Sequence, residues 1–223
     1  MTVASAGALD PQGPVARAMA ELWWLMLALG VAVFVVFAVL LGIGLFRRPR
    51  DGGGANGDGG GANGDDGGPD RRAQRWIVGG GVVMPFVVIV VVFVATVRAM
   101  QAIPASAPPD AVVIDVVGHQ FWYEVSYPEQ GVTARNELHM PVGQPVALRL
   151  TSADVIHSFW VPELGGKLDM LPDGTNTLVL HADESGEYVA RCAEYCGLEH
   201  AHMELTVIAE PEARFTAWVE GQR

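Results

Sequence analysis

Four side chains near the end of the 223-residue chain follow one another closely: Cys192, Cys196, His200 and Met203. They include both cysteines of the protein. Thiolate, imidazole and thioether are the donors that soft copper prefers. A second imidazole, His157, lies upstream in Asp154-Val155-Ile156-His157-Ser158-Phe159-Trp160. One cysteine with one near histidine, one methionine and one distant histidine would make a mononuclear blue copper site, and here there is one cysteine too many. Two thiolates can instead bridge two copper ions, each capped by a histidine, with the methionine and a backbone carbonyl as weak outer ligands. Such a pair shares one electron over both metals, so little rearranges when the electron arrives or leaves. That suits electron transfer better than substrate chemistry. Two other readings stand beside it. Paired cysteines in an oxidising compartment form disulfides. Zinc accepts two cysteines and two histidines but has no use for the thioether.

Ligands that converge in this way need a frame. Strand-like segments run at Ala111–Val117, Phe121–Tyr127, Glu137–Met140, Pro145–Thr151, Thr177–Ala182, Gly186–Arg191 and His202–Ile208, divided by turn signals such as Pro141–Gly143 and Pro172–Gly174. About seven short strands in about 100 residues indicate a Greek-key sandwich. A cupredoxin-like β-sandwich or barrel is the form that accommodates a copper loop between its last strands. Pro211–Gly221 reads as a short closing helix with Phe215 and Trp218 on one face.

Ahead of this all-β part stands a membrane anchor. Half of the chain is hydrophobic, more than an ordinary soluble domain carries. Leu22–Phe46 is an uncharged apolar run of 25 residues, long enough at about 1.5 Å per residue to cross a core of about 30 Å. Trp23 and Trp24 stand at one end as interfacial anchors, and Arg47, Arg48 and Arg50 close the other. Residues 51–68 contain only Gly, Ala, Asn and Asp, with one heptad at 52–58 repeated at 59–65; this is a flexible linker. Arg71, Arg72 and Arg75 precede a second apolar run of 21 residues, Ile77–Val97, whose Gly79, Gly80 and Gly81 permit close helix packing in a membrane. By the positive-inside rule the arginine-flanked loop, 47–76, is cytoplasmic. The expected organisation is an external lead over 1–21, spans over 22–46 and 77–98, a stiff Pro/Ala connector over 99–110 and an external domain over 111–223. The opening residues do not read as a secretory signal.

Charge is divided unevenly. Residues 101–223 carry 18 acidic and 6 basic side chains, and residues 1–100 carry 7 and 8. An external domain of net charge −12 repels nucleic acid and attracts basic partners. No Cys-x2-Cys-His sequence is present, so the chain attaches no c-type haem of its own.

The stretch Cys192-Ala193-Glu194-Tyr195-Cys196-Gly197-Leu198-Glu199-His200-Ala201-His202-Met203 resembles the dinuclear CuA motif of cytochrome c oxidase subunit II. Val155–Pro162 and Gly118-His119-Gln120 match the same family, as does the two-span anchor. The resemblance implies copper ligation by His157, Cys192, Cys196, His200, Met203 and the Glu194 carbonyl. It implies that the Glu194 side chain reaches an Mg2+ or Mn2+ ion shared with subunit I. It further implies an oxidoreductase and proton-translocating complex in a bacterial inner membrane, with both termini of this chain on the periplasmic side. On this resemblance, electrons are expected to pass from cytochrome c to the copper and on to haem in subunit I, where oxygen is reduced to water. A related nitric oxide reductase and a copper-free quinol oxidase subunit are the alternatives.

The resemblance also assigns lesser roles, and in two places the chain departs from the family. Where relatives carry an exposed tryptophan for electron arrival, this chain has Phe121, with Trp122 next. Where many relatives carry a glutamate three residues before Trp76, near a proton path, it has Ala73. Glu124, Glu129, Asp154 and Glu163 are expected to steer a basic cytochrome, and Asp154 alternatively to orient His157. His202 is expected to be a non-ligand, His139 and His181 strand surface residues, and His119 a packing or hydrogen-bonding group.

Overall fold

The computed structural model describes residues 7–46 and 71–223. Alternation of apolar and polar residues sets the frame of the external part. Along β1 (Val112–His119) and β2 (Trp122–Tyr127), every second residue is buried, so Ile114, Val116, Tyr123, Val125 and Tyr127 face one core. The strand set continues with β3 (Val132–Arg135), β4 (Glu137–Pro141), β5 (Val146–Ser152), β6 (His157–Trp160), β7 (Leu168–Met170), β8 (Asn176–Leu180), β9 (Gly186–Cys192) and β10 (Glu204–Glu210). Two five-stranded sheets result, ordered β3-β2-β1-β5-β8 and β4-β10-β9-β6-β7. Most neighbours are antiparallel, but β1 runs parallel to β5 and β10 parallel to β4. This is the β-sandwich expected for the region, with sheet-crossing connections.

Three of these strands were not legible as such. β3 and β7 are four and three residues long, too short for alternation to show. β6 is almost wholly buried and so carries no polar phase. Four others start later than expected, β1, β2 and β5 by one residue and β10 by two. Phe121 precedes β2, and residues 200–202 form a turn of 3-10 helix ahead of β10.

Glu212–Gly221 forms the closing helix, α4 in chain order. Its Phe215 and Val219 are buried, and Trp218 stacks on the His139 ring at a centroid distance of 3.9 Å. His139 is therefore not a surface residue. It is 6 % exposed, because α4 covers it and the carboxylates of Glu137 and Glu210 flank its two ring nitrogens at 2.8 and 2.7 Å. His181 is half-buried beside Asp183.

The other helices are apolar. α1 spans Pro14–Phe46; proline suits its first position, where the missing N–H has no partner to lose. α2 spans Arg71–Val78, a π-helical turn covers Gly79–Val83, and α3 spans Met84–Met100. Pro85 accounts for the widened turn, since its ring has no N–H and crowds the carbonyl four residues back, at Gly81. Pro14–Phe46 and Gln74–Met100 are both long and apolar enough to cross a bilayer. The glycine-rich stretch within 47–70 lies outside the described residues.

Among the described residues the chain divides into two compact units. One joins the lead as far as Glu21 to Arg98–Arg223, and the other is Leu22–Val97. The described part of the lead is not a free tail. Gln12 N–H donates to the Glu163 carbonyl (2.7 Å), Asp183 N–H donates to the Gln12 carbonyl (2.8 Å), and Arg17 pairs with Asp183 at 2.6 Å.

One hydroxyl ties the two sheets together. His139 N–H donates to Tyr127 Oη (2.7 Å), and Tyr127 O–H donates to the His139 carbonyl (3.0 Å), both in full burial. Removing it strands a buried N–H and C=O at a cost of about 1–3 kcal/mol. Tyr127→Phe is expected to lower the unfolding free energy of the sandwich by that amount in chemical denaturation of the intact chain.

Candidate metal centre

Cys192 is the last inward-facing residue of β9, in phase with Tyr188 and Ala190. Its strand partner Phe159 belongs to β6, which His157 opens in full burial. The loop after β9 turns back at Gly197 and at the short turn over 200–202, delivering Met203, 1 % exposed, to the start of β10.

Five side-chain donors meet there. Cys192 Sγ lies 3.8 Å from His157 Nδ1 and 3.8 Å from Cys196 Sγ. Cys196 Sγ lies 3.7 Å from His200 Nδ1 and 3.8 Å from Met203 Sδ. The Glu194 carbonyl oxygen is 3.2 Å from Cys192 Sγ. The cysteines are free, and their separation far exceeds a disulfide bond of about 2.05 Å. It is shorter than two metal–thiolate bonds of about 2.3 Å laid end to end, so one ion can touch both sulfurs. His157, Cys192 and Cys196 lie close enough to hold a metal ion together, and all three are buried. The donor set is that of a soft metal.

Asp154 aims the first histidine. Its Oδ1 lies 2.7 Å from His157 Nε2 and also accepts from Val155 N–H at 2.6 Å, and its Oδ2 accepts from Gln120 N–H at 2.7 Å. A proton on Nε2 leaves the Nδ1 lone pair directed at the sulfurs. Gln120 reaches on, its Nε2 donating to the Cys196 carbonyl at 2.6 Å. Gly118 admits the ring, since a Cβ there would stand 2.8 Å from His157 Cδ2. A Cβ on Gly197 would stand 2.9 Å from the Phe121 ring, and its φ of 139° suits only glycine. Gly118 and Gln120 thus position the ligands, a role that the motif alone did not disclose. Their closeness to residues 154–157 depends on the parallel pairing of β1 with β5.

Electrostatics divide the two thiols. Burial opposes ionisation of Cys192, but hydrogen bonds from His157, the Ser158 and Glu194 backbone and His200 outweigh it and bring the thiol down to about 6. Burial, and then the neighbouring Cys192 charge, push Cys196 up to about 12. Burial also opposes charge on His157, yet Cys192 and Asp154 together hold its ring above the ordinary histidine value.

The remaining expected residues are distributed as follows. His202 is exposed and pairs with Glu199 at 3.0 Å, away from the sulfurs. Trp122 is half-buried between the His119 ring, stacked at 4.2 Å, and the Arg135 guanidinium at 4.3 Å. Phe121 is half-buried against the core. Glu124 is half-buried and Glu129 exposed. Glu163 does not belong to a steering surface. It is 4 % exposed, packed beneath the lead, and burial with the nearby Asp10 charge raises its carboxyl above the usual range. Asp154 is committed to His157, Gln120 and Val155. The Glu194 carboxylate accepts from Lys167 Nζ at 3.1 Å.

The family described as cytochrome c oxidase subunit II, periplasmic domain, matches residues 130–210. A quinol oxidase subunit 2 from Bacillus cereus is 31 % identical over 221 residues, covering 95 % of this chain and 71 % of the relative. The chain belongs to the cytochrome oxidase subunit II family. A cytochrome c oxidase subunit 2 from Alkalihalophilus pseudofirmus is 42 % identical over 145 residues, 62 % of this chain. That match spans less than half, 42 %, of the relative's length. The crystal structure of the periplasmic domain of cytochrome oxidase subunit II from Bradyrhizobium japonicum superposes with a TM-score of 0.51 at 27 % identity. It covers 52 % of this chain and 96 % of that one. The cupredoxin-like sandwich of the family is therefore present here, together with two helices able to span a membrane.

Two outcomes follow from the geometry. In metal-free protein, ultraviolet titration of thiolate absorbance is expected to give one thiolate with a midpoint near 6 and no second before about 12. A metal that takes both sulfurs then displaces one thiol proton between those values and two below the lower, so its affinity rises with pH. Gly118→Ala is expected to push His157 off the sulfurs, lowering metal content per chain while circular dichroism stays that of the parent.

Proposed function

We propose that this chain is the electron-accepting subunit of a cytochrome c-type terminal oxidase, with a dinuclear copper centre held by His157, Cys192, Cys196, His200, Met203 and the Glu194 carbonyl. The observation that carries this is the unbroken series of contacts from His157 through both sulfurs to His200 and Met203. When bound, the copper pair supplies a one-electron acceptor and donor. The chain's own residues do the rest. Asp154 fixes the ring of His157, Gln120 holds the Cys196 backbone, and the buried sandwich keeps water from both sulfurs. A site so fixed changes little as an electron passes, which lowers the cost of transfer.

In this reading cytochrome c delivers electrons and haem in subunit I receives them. Oxygen reduction and coupled proton translocation take place in subunit I. The two apolar helices anchor the chain in a bacterial inner membrane, with 47–76 on the cytoplasmic side and 111–223 in the periplasm. Glu194 is the side chain that would reach a shared Mg2+ or Mn2+ ion, and to do so it must leave Lys167.

The match to a quinol oxidase subunit 2 over 95 % of this chain supports a second reading, a structural subunit without copper. Copper stoichiometry and the electron paramagnetic resonance spectrum of the purified full-length chain separate the two. Two coppers per chain with one unpaired electron shared equally are expected, and Cys192→Ser is expected to abolish that spectrum. A chain that takes up no copper while both thiols stay free would establish the structural reading instead.

A further inference from the structure

Tyr123 is wholly buried in the core of the sandwich, 0 % exposed. A phenol placed there must find a partner for its hydroxyl or bear the cost of burying it bare. Phenylalanine would fill the same space without that cost. Tyr127, in phase with it on β2, spends its hydroxyl on the backbone of His139. Among the described residues, no partner meets Tyr123 Oη at full hydrogen-bond geometry.

Both sheets place this ring beneath the candidate centre. On β2, Tyr123 stands opposite Gly118 of β1, so the two share one face of their sheet. Gly118 is the residue on which the His157 ring rests, a Cβ there standing 2.8 Å from His157 Cδ2. From the other sheet, the Phe159 ring meets the Tyr123 ring edge-on at 5.7 Å, and Phe159 is the strand partner of Cys192. The hydroxyl comes within reach of the Cys192 sulfur. Burial, then the charge and hydrogen bonding of Cys192, then the charge of Cys196 raise the phenol far above its ordinary value. A phenol so raised keeps its proton and acts as a donor, and its O–H turns about the C–O bond to suit the acceptor.

We infer that the Tyr123 hydroxyl donates a hydrogen bond to Cys192 Sγ and thereby sets the reduction potential of the centre. The inference rests on the copper reading above. Tyr123 is a positioning residue that acts through Cys192. A donor on a ligating thiolate draws electron density from the sulfur. Reduction leaves more negative charge on that sulfur, so the bond strengthens and the reduced form is favoured. The phenol holds its proton in both states. One electron enters or leaves, and no proton accompanies it at this bond.

The test uses the purified full-length chain loaded with copper, as the parent, Tyr123→Phe and Tyr127→Phe. Mediated redox titration gives the potential. The electron paramagnetic resonance spectrum and chemical denaturation report the site and the fold. Tyr123→Phe keeps the ring and removes only the donor. It is expected to keep the parent's copper content and shared-electron spectrum. At the parent's midpoint its oxidised-to-reduced ratio should rise about tenfold, a fall of about 59 mV for one electron. Tyr127→Phe is expected to lose stability and hold the parent's potential, which separates tuning from packing. A second measurement needs no metal. In metal-free protein in D2O, the Tyr123 O–D stretch is assigned in the infrared by difference against Tyr123→Phe. It should lie below that of a free phenol, and Cys192→Ala should raise it. An unchanged potential in Tyr123→Phe with its spectrum intact would overturn the inference, as would an infrared band that Cys192→Ala does not move. A parent chain lacking the shared-electron spectrum would remove the copper reading alone, because the infrared band decides the hydrogen bond without copper.

Discussion

Two buried sulfur atoms 3.8 Å apart resist carrying negative charge together unless a cation lies between them. Everything around the centre answers to that constraint. His157 and a cluster of backbone groups make the first ionisation easy, and the resulting charge makes the second hard. The protein thus holds a half-ionised pair in which the missing positive charge is the strongest unmet demand. A soft metal cation held by both sulfurs would meet it. The surrounding hydrogen bonds fix positions and leave that demand unanswered.

The rigidity of the site comes from three separated segments that interlock. Asp154 is bonded to its own loop, to the Gly118–Gln120 corner and to the His157 ring. Gln120 is bonded to the backbone between the cysteines. Phe121 lies against Gly197. Each segment is anchored in turn by a strand of the sandwich, so displacement of one ligand strains the backbone of two others. Such a network favours a single geometry and opposes exchange of the centre between shapes.

The ligands were legible because cysteine, histidine and methionine at short spacing have few other uses. The apolar runs and the longer strands were legible because alternation and length are local properties. What escaped depends on pairing between distant residues. Gly118 looks like any strand glycine until β1 lies parallel to β5 and His157 rests on it. His139 sits at a polar phase between two carboxylates, and only the return of α4 with Trp218 buries it. Glu163 reads as a surface acid in Val161-Pro162-Glu163-Leu164, and only the folding back of Gly7–Gly13 covers it. In each case the deciding contact lies many residues away, and no local pattern reports it.

The parallel pairing of β1 with β5 also bears on the order in which the centre is built. Gly118, Gln120, Asp154 and His157 all precede residue 160, whereas both cysteines, His200 and Met203 follow residue 190. The histidine cradle is synthesised first: β1 and β5 can already pair, whereas β6 waits for β9. The thiols are made after it, and β9 completes the sheet beside His157 as it brings Cys192 into place. A chain made in this order keeps its reactive sulfur out of reach of stray oxidants and unwanted metals for most of its synthesis. A metal that takes both sulfurs could therefore be held only once β9 and the loop to Met203 have folded.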